Sequence, residues 1–238
     1  MSKLNIAKMK KLSTIKGGKT QGGFTLIEIA IVLVIIGLLL GGVLQGQQLI
    51  ENSRIRNAVN SFNGIAAATF SYQDRYGRLP GDDSAGNTAL PATIQARGSS
   101  WGAVTQGDSN GVVAALLANT FTGLATGESG DFFQHLRAAG FIAGDPALAG
   151  ALALPQNAFG GLIGITSDSM GGGLTGLKIC MGSVNGSAAI ALDTQLDDGS
   201  GLTGRFRSTL GDANIAPAST VLAAAYSEDN IYTICYRM

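Results

Sequence analysis

The chain is poor in the side chains that do chemistry at metal centres and nucleophilic sites. It has one histidine, His135, and two cysteines, Cys180 and Cys235. A metal held by the cysteine pair would need further thiol or imidazole ligands, and these are missing. Charged residues make up only 13% of the chain and are unevenly spread. Met1–Gly23 holds six lysines and no acid, whereas all 16 acids lie beyond it. Proline is absent from 24–76, so nothing there forbids one continuous helix. No internal repeat is evident.

What the sequence has in quantity is apolar length. Phe24–Leu44 reads FTLIEIAIVLVIIGLLLGGVL, 21 residues with a single charge, Glu28. As a helix rising ~1.5 Å per residue it is roughly 32 Å long, which matches the hydrocarbon thickness of a bilayer. A carboxylate inside such a span costs on the order of 3 kcal/mol, so Glu28 needs a reason. An ordinary secretory signal has a core of ~7–15 residues with a small-x-small cut site behind it. Here the small residues Gly41, Gly42 and Gly46 fall where the helix continues. The leader lysines hold the N-terminus in the cytoplasm and send the rest outward, whether the segment is cut or stays as a plain signal anchor.

The run Gly22-Gly23-Phe24-Thr25-Leu26-Ile27-Glu28 joins a basic leader ending in glycine to Phe-Thr-Leu-Ile-Glu and an unbroken apolar helix. It resembles the class III signal of type IV pilins and type II secretion pseudopilins, and covers in detail about the first fifth of the chain. The resemblance implies cleavage by a prepilin peptidase between Gly23 and Phe24, with methylation of the new Phe24 amine. It assigns assembly to Thr25 and Glu28, the carboxylate compensating the cationic amine on a neighbouring subunit. Opposite charges in a low-dielectric setting attract strongly, whereas either alone is penalised. The partners implied are the peptidase, other pilin or pseudopilin subunits in a homo- or heteropolymer, and inner-membrane lipid. The implied location is a single-pass inner-membrane protein, N-terminus cytoplasmic and globular part periplasmic, passing into a pilus or pseudopilus.

Loss of the leader leaves 10 basic and 16 acidic residues, a formal −6. That argues against nucleic-acid binding through a broad basic surface. Export places Cys180 and Cys235 in an oxidising compartment, where a disulfide is the natural reading. It encloses 54 residues, which is worth roughly 4 kcal/mol in the chain-entropy model.

The expected organisation is a basic leader over 1–23, a transmembrane and assembly helix over 24–76, and a globular exported domain over 77–238. Ile55, Val59, Phe62, Ala66, Thr69, Phe70, Gln73 and Tyr76 recur at steps of three and four, an amphipathic stripe. Gly77 and Pro80 are its stop signals. Beyond a loop over 78–111, short helices are expected at Val112–Asn119, Asp131–Ala139 (capped by Ser129 and ended by Gly140) and from Ala188 to about Asp197 (capped by Ser187). Leu162–Thr166, Leu177–Met181, Arg205–Thr209 and Asn230–Tyr236 read as strands. The fold class is α+β, a pilin-like ladle with one long helix packed on a small antiparallel sheet among Gly-rich loops.

Chemical motifs are weak by comparison. Gly107-Asp108-Ser109-Asn110-Gly111 fits the nucleophile pattern G-x-S-x-G, but a Gly/Ser/Gln-rich segment precedes it where a strand is required. It reads as a solvated turn, with His135 on a helix face. Gly171, Gly173 and Gly176 satisfy G-x-G-x-x-G, yet a strand-like segment follows where a helix is needed. Gly18-Lys19-Thr20 has the end of a P-loop without its upstream glycine. Asp193, Asp197 and Asp198 before Gly199-Ser200-Gly201 supply hard oxygen ligands suited to calcium, without EF-hand spacing. Solvated acidic turns are the favoured reading there, with no metal and no cofactor. The leading function is a non-catalytic structural subunit. The rivals are a membrane-anchored monomeric binding protein and an anchored hydrolase using Ser109.

Overall fold

A computed structural model of the chain describes residues 22–84, 93–123, 127–219 and 225–238. Gly18-Lys19-Thr20 and the leader as far as Gln21 lie outside the described residues. The chain divides into two compact units, Met1–Gln47 and Gln48–Met238. Helix α1, Leu26–Tyr76, is 51 residues long without a break. In the first unit its side chains are exposed on every face, and an 18-residue window with mean hydropathy 2.8 has none of its residues buried. A helix apolar all round is built for an apolar solvent rather than for water.

In the second unit α1 becomes one-sided. Ile55, Ala58, Phe62, Ile65, Ala68, Thr69 and Tyr72 are buried, at steps close to three and four. The stripe is turned slightly from the expected one. Val59, Ala66 and Tyr76 flank it half-buried, and Phe70 points away, 58% exposed. Small alanines at 58 and 68 let the helix approach closely, which shifts the buried stripe toward them. Gly77 ends α1 in the left-handed region at φ 66°, its N–H bonding Gln73 O at 2.8 Å. That is the conformation for which a helix-terminating glycine is suited.

Four antiparallel strands form the sheet: β1 Ile163–Thr166, β2 Lys178–Asn185, β3 Phe206–Leu210 and β4 Ile231–Arg237, in spatial order β1-β2-β4-β3. All four coincide with expected strands, and β2 runs four residues further, past an irregularity between Met181 and Val184. Cys180 stands directly opposite Cys235 on the two central strands, and the two are joined as a disulfide. Phe62 of α1 meets Phe206 and Tyr236, ring centroids 6.4 and 5.8 Å away. This aromatic contact, fully buried at Phe62 and Phe206, fixes the second-unit part of α1 on the sheet.

Two further helices complete this unit, α2 Glu128–Ala138 and α3 Gly186–Leu196. Both begin earlier than Ser129 and Ser187 imply. Gly127 and Asn185 occupy the N-cap positions and neither expected serine is a cap. Ser129 falls inside the first turn of α2, its hydroxyl unpartnered among the described residues. α3 starts early because β2 feeds straight into it, and Asn185 donates its side-chain amide to Glu51 Oε1 at 2.7 Å. Gly140 closes α2 at φ 79°, as expected. Val112–Asn119 is not a helix; only Leu117–Asn119 makes a 3-10 turn. Side-chain carboxylates take the amides that a helix would order, Ala114 N–H going to Glu128 Oε2 and Leu117 N–H to Asp168 Oδ2.

Candidate functional site

The start of α1 is held by one reciprocal pair. Thr25 donates its backbone N–H and its hydroxyl to Glu28 Oε2, both at 2.8 Å. Glu28 N–H donates back to Thr25 Oγ1 at 3.3 Å. This is a capping box: the first helical turn leaves amides without internal partners, and a Thr at the cap with a Glu three residues on satisfies two of them. The sequence reading gave Glu28 only an intermolecular task. The T-x-x-E spacing ahead of an apolar run was the signal that would have revealed this second task. Glu28 Oε1 takes no hydrogen bond among the described residues, so one carboxylate oxygen closes the cap and the other stays open. Gly22, Gly23 and Phe24 precede the helix in irregular, exposed backbone, Phe24 being 84% exposed.

The other sequence candidates are turns with their polar atoms occupied. Ser109 has φ 56°, and its Oγ accepts from Ser84 N–H at 2.9 Å. No strand leads into it. His135 is fully buried on α2. Its Nδ1 accepts from Gly81 N–H at 2.9 Å and its Nε2 bonds Thr105 O at 2.7 Å. Both ring nitrogens are therefore committed to backbone and none is left to activate a serine. Burial holds the imidazole down at about 4, so it is neutral at ordinary pH. Gly171–Gly173 form a 3-10 turn ahead of β2, with no helix after them.

Asp193, Asp197 and Asp198 do converge. Asp193 accepts from Gly199 N–H and Tyr226 OH at 3.0 and 2.5 Å. Asp197 Oδ2 takes the amides of Arg205 and Phe206 at 2.5 and 2.8 Å. Asp198 takes Ser200 N–H and Thr203 OH at 3.0 and 2.5 Å. Hydrogen bonds from Thr203 and Ser200 hold the Asp198 carboxyl below its usual range, whereas burial pushes Asp193 up. Five of the six carboxylate oxygens thus already accept hydrogen bonds, and Asp197 Oδ2 fastens the loop after α3 to the start of β3.

A second acidic group was missed, because its members are far apart in sequence. Asp82, Asp108 and Glu128 bring carboxylate oxygens together. Asp82 takes the amides of Asn110 and Gly111, and Glu128 those of Asp108 and Ala114. Burial raises Asp82 and Glu128, and lifts nearby Asp131 to about 6. Beside it stands the polar clasp of the unit: Arg97 bonds Asp83 at 2.6 and 3.1 Å, and Tyr72 OH donates to the same carboxylate at 2.7 Å. The guanidinium also lies over Tyr76 and Trp101, 4.7 and 5.0 Å from their ring centres. These groups are all built into the packing between the end of α1, α2 and the loops over 79–84 and 93–111.

The segment around the capping box also matches a known family. The model of the prokaryotic N-terminal methylation motif matches residues 18–44. A fimbrial protein of Eikenella corrodens, EcpC, is 34% identical over 113 residues, 47% of this chain and 71% of that one. Among solved structures, the major type IV pilin PilA1 of Clostridium difficile aligns over 78% of this chain and 96% of its own, at 9% identity and a TM-score of 0.34, too slight a likeness to bear on the fold. With the methylation motif set at the capped start of a bare apolar helix and a fimbrial relative covered over most of its length, the chain belongs to the type IV pilin and pseudopilin family.

Proposed function

We propose that the chain is a structural subunit of a type IV pilus or type II secretion pseudopilus. It is cut after Gly23 by prepilin peptidase, methylated at Phe24, and polymerised through Phe24–Leu44. The observation that carries this reading is the first part of α1, apolar and wholly uncovered, beginning at Leu26, three residues past the Gly23 after which cleavage would fall. Burying such a helix against copies of itself removes it from lipid into close packing. In the precursor Glu28 already shares one oxygen with Thr25. Cleavage creates the amine at Phe24, and the open oxygen Oε1 then accepts a neighbour's charge without releasing the cap. Before assembly the helix spans the inner membrane with its N-terminus cytoplasmic and residues 77–238 outside.

The work of the molecule is assembly, with no catalysis, no resident cofactor and no nucleic acid as a general partner. The occupied carboxylates of Asp193, Asp197 and Asp198 support the absence of a calcium requirement. The fimbrial relative favours a pilus component over a major pseudopilin. Co-expression with prepilin peptidase, followed by intact mass, tests the processing: loss of Met1–Gly23 plus one methyl group is expected. An uncut chain would favour a plain membrane anchor.

A further inference from the structure

A filament open at both ends needs two different faces of one chain that fit each other, because a face that fits only itself closes into a dimer. Two exposed features of the second unit have opposite charge and a shared apolar character. The first is a notch of about 420 Å³ where β3 ends and β4 begins. Its apolar lining is Leu210, Ile215 and Ile231, which remain 53, 51 and 43% exposed. Asp212 and Asp229 line it too, Glu228 adjoins it, and no Lys or Arg is among its lining residues.

The second feature is on α1. Leu49, Ser53 and Arg56 follow one another at four- and three-residue steps, and Ile50, Arg54 and Asn57 repeat the pattern one residue on. These spacings put each set on one face of the helix, side by side. All six are exposed, Leu49 and Ile50 by 70 and 57%. Leu49 and Ile50 open the two rows, and Arg56 and Arg54, two residues apart and so well over a right angle apart around the helix, stand on opposite flanks of its exposed face, one for each acidic rim of the notch.

The two features also stand at one level of the fold. Ile231 pairs with Asn185, and Asn185 bonds Glu51 of α1. The notch therefore lies beside the turn of the helix that carries the strip. Copies placed side by side with their α1 helices parallel bring one copy's notch to the next copy's strip with little shift along the helix.

We infer that the notch around Ile231 receives the Leu49–Arg56 strip of a second copy, with Asp212 and Asp229 facing Arg54 and Arg56. This contact rests on the proposed polymerisation and names a surface for it outside the apolar span. Its geometry is heterologous, so it repeats without closing. Complementary rim charges set register and exclude wrong neighbours, while like charges brought together are repelled.

The test uses the full chain in cells that possess the peptidase and assembly machinery. Wild type, Asp212→Arg with Asp229→Arg, Arg54→Glu with Arg56→Glu, and all four changes together are compared for sheared filament. Each reversed pair is expected to lower filament yield by about tenfold or more, and the fourfold exchange to restore it. Ile231→Cys with Ser53→Cys, made without altering charge, is expected to give a ladder of cross-linked copies in intact filaments. Neither single cysteine should give one. Wild-type filaments that neither cross-link nor respond to the reversals overturn the contact and leave polymerisation standing. Loss of yield with the arginine pair alone also overturns it, since those arginines would then serve another partner. A wild-type chain that is processed and never polymerises sinks the underlying reading instead.

Discussion

His135 offers a sharp test of how the second unit is held together. Its imidazole is fully buried and accepts a hydrogen bond from Gly81 N–H, so a proton added at Nδ1 would confront another N–H. Burial lowers it from 6.5 to about 4, a gap of about 2.5 units, or roughly 3 kcal/mol at about 1.4 kcal/mol per unit. The unfolded chain takes up the proton first, so this contribution is whole above about 6.5, shrinks as pH falls, and is gone below about 4. Asp131 acts in the opposite direction. Its carboxyl is raised to about 6 by burial, so it stabilises in acid and loses that effect as pH rises through about 6. A comparison with His135→Gln removes Asp131, Asp83 and Arg97 from the difference, because both chains carry them. Trp101 is the only tryptophan, buried with its ring 6.2 Å from His135, which makes its emission a local reporter. Urea unfolding of the detergent-solubilised chains should show the wild-type advantage falling by about 3 kcal/mol between pH 7 and pH 4. A difference that stays flat within about 0.5 kcal/mol would refute the neutral, backbone-bonded histidine.

Other consequences follow from named contacts. Phe62→Ala empties the aromatic junction with Phe206 and Tyr236 and should cost about 3–5 kcal/mol, whereas Phe70→Ala on the outer face should stay within about 0.5 kcal/mol of wild type by the same unfolding assay. Cys180 and Cys235 are fully buried, so thiol reagents after mild reductant should label them only when the unit unfolds. Replacing both by serine should cost roughly 4 kcal/mol, less any residual structure in the unfolded chain. Adding calcium or a chelator should leave the unfolding midpoint unchanged, and a calcium-dependent rise lost in Asp197→Ala would reinstate a metal at the loop after α3.

The sequence disclosed the elements more readily than their edges. The strands were legible as short runs holding β-branched or aromatic residues, β1 to β3 beside glycines and β4 after the polar turn Ser227-Glu228-Asp229-Asn230, and α1 because proline is absent up to Gly77. Ser129 and Ser187 misled as helix caps, since Gly127 and Asn185 lie where the chain first turns helical and tertiary bonds decided the start. The segment 112–119 has helical composition, but Glu128 and Asp168 draw its amides away. No local pattern announces such distant partners. The same is true of the Asp83–Arg97 clasp, whose aromatic walls come from α1 and a loop. At the candidate site the motif was plain. The capping role of Thr25 and Glu28 is equally present in the T-x-x-E spacing, although the cost of a charge in lipid points first to a partner on another chain.

The most direct measurement of the central claim is intact mass combined with filament recovery, for wild type and Glu28→Ala, in cells that carry the peptidase and assembly machinery. Wild type should appear as the chain from Phe24 onward with one methyl group, recovered in sheared polymers. Glu28→Ala should be cut to the same point yet yield few or none. Full-length protein that keeps Met1–Gly23, or trimmed protein that remains single in the membrane, would contradict the account.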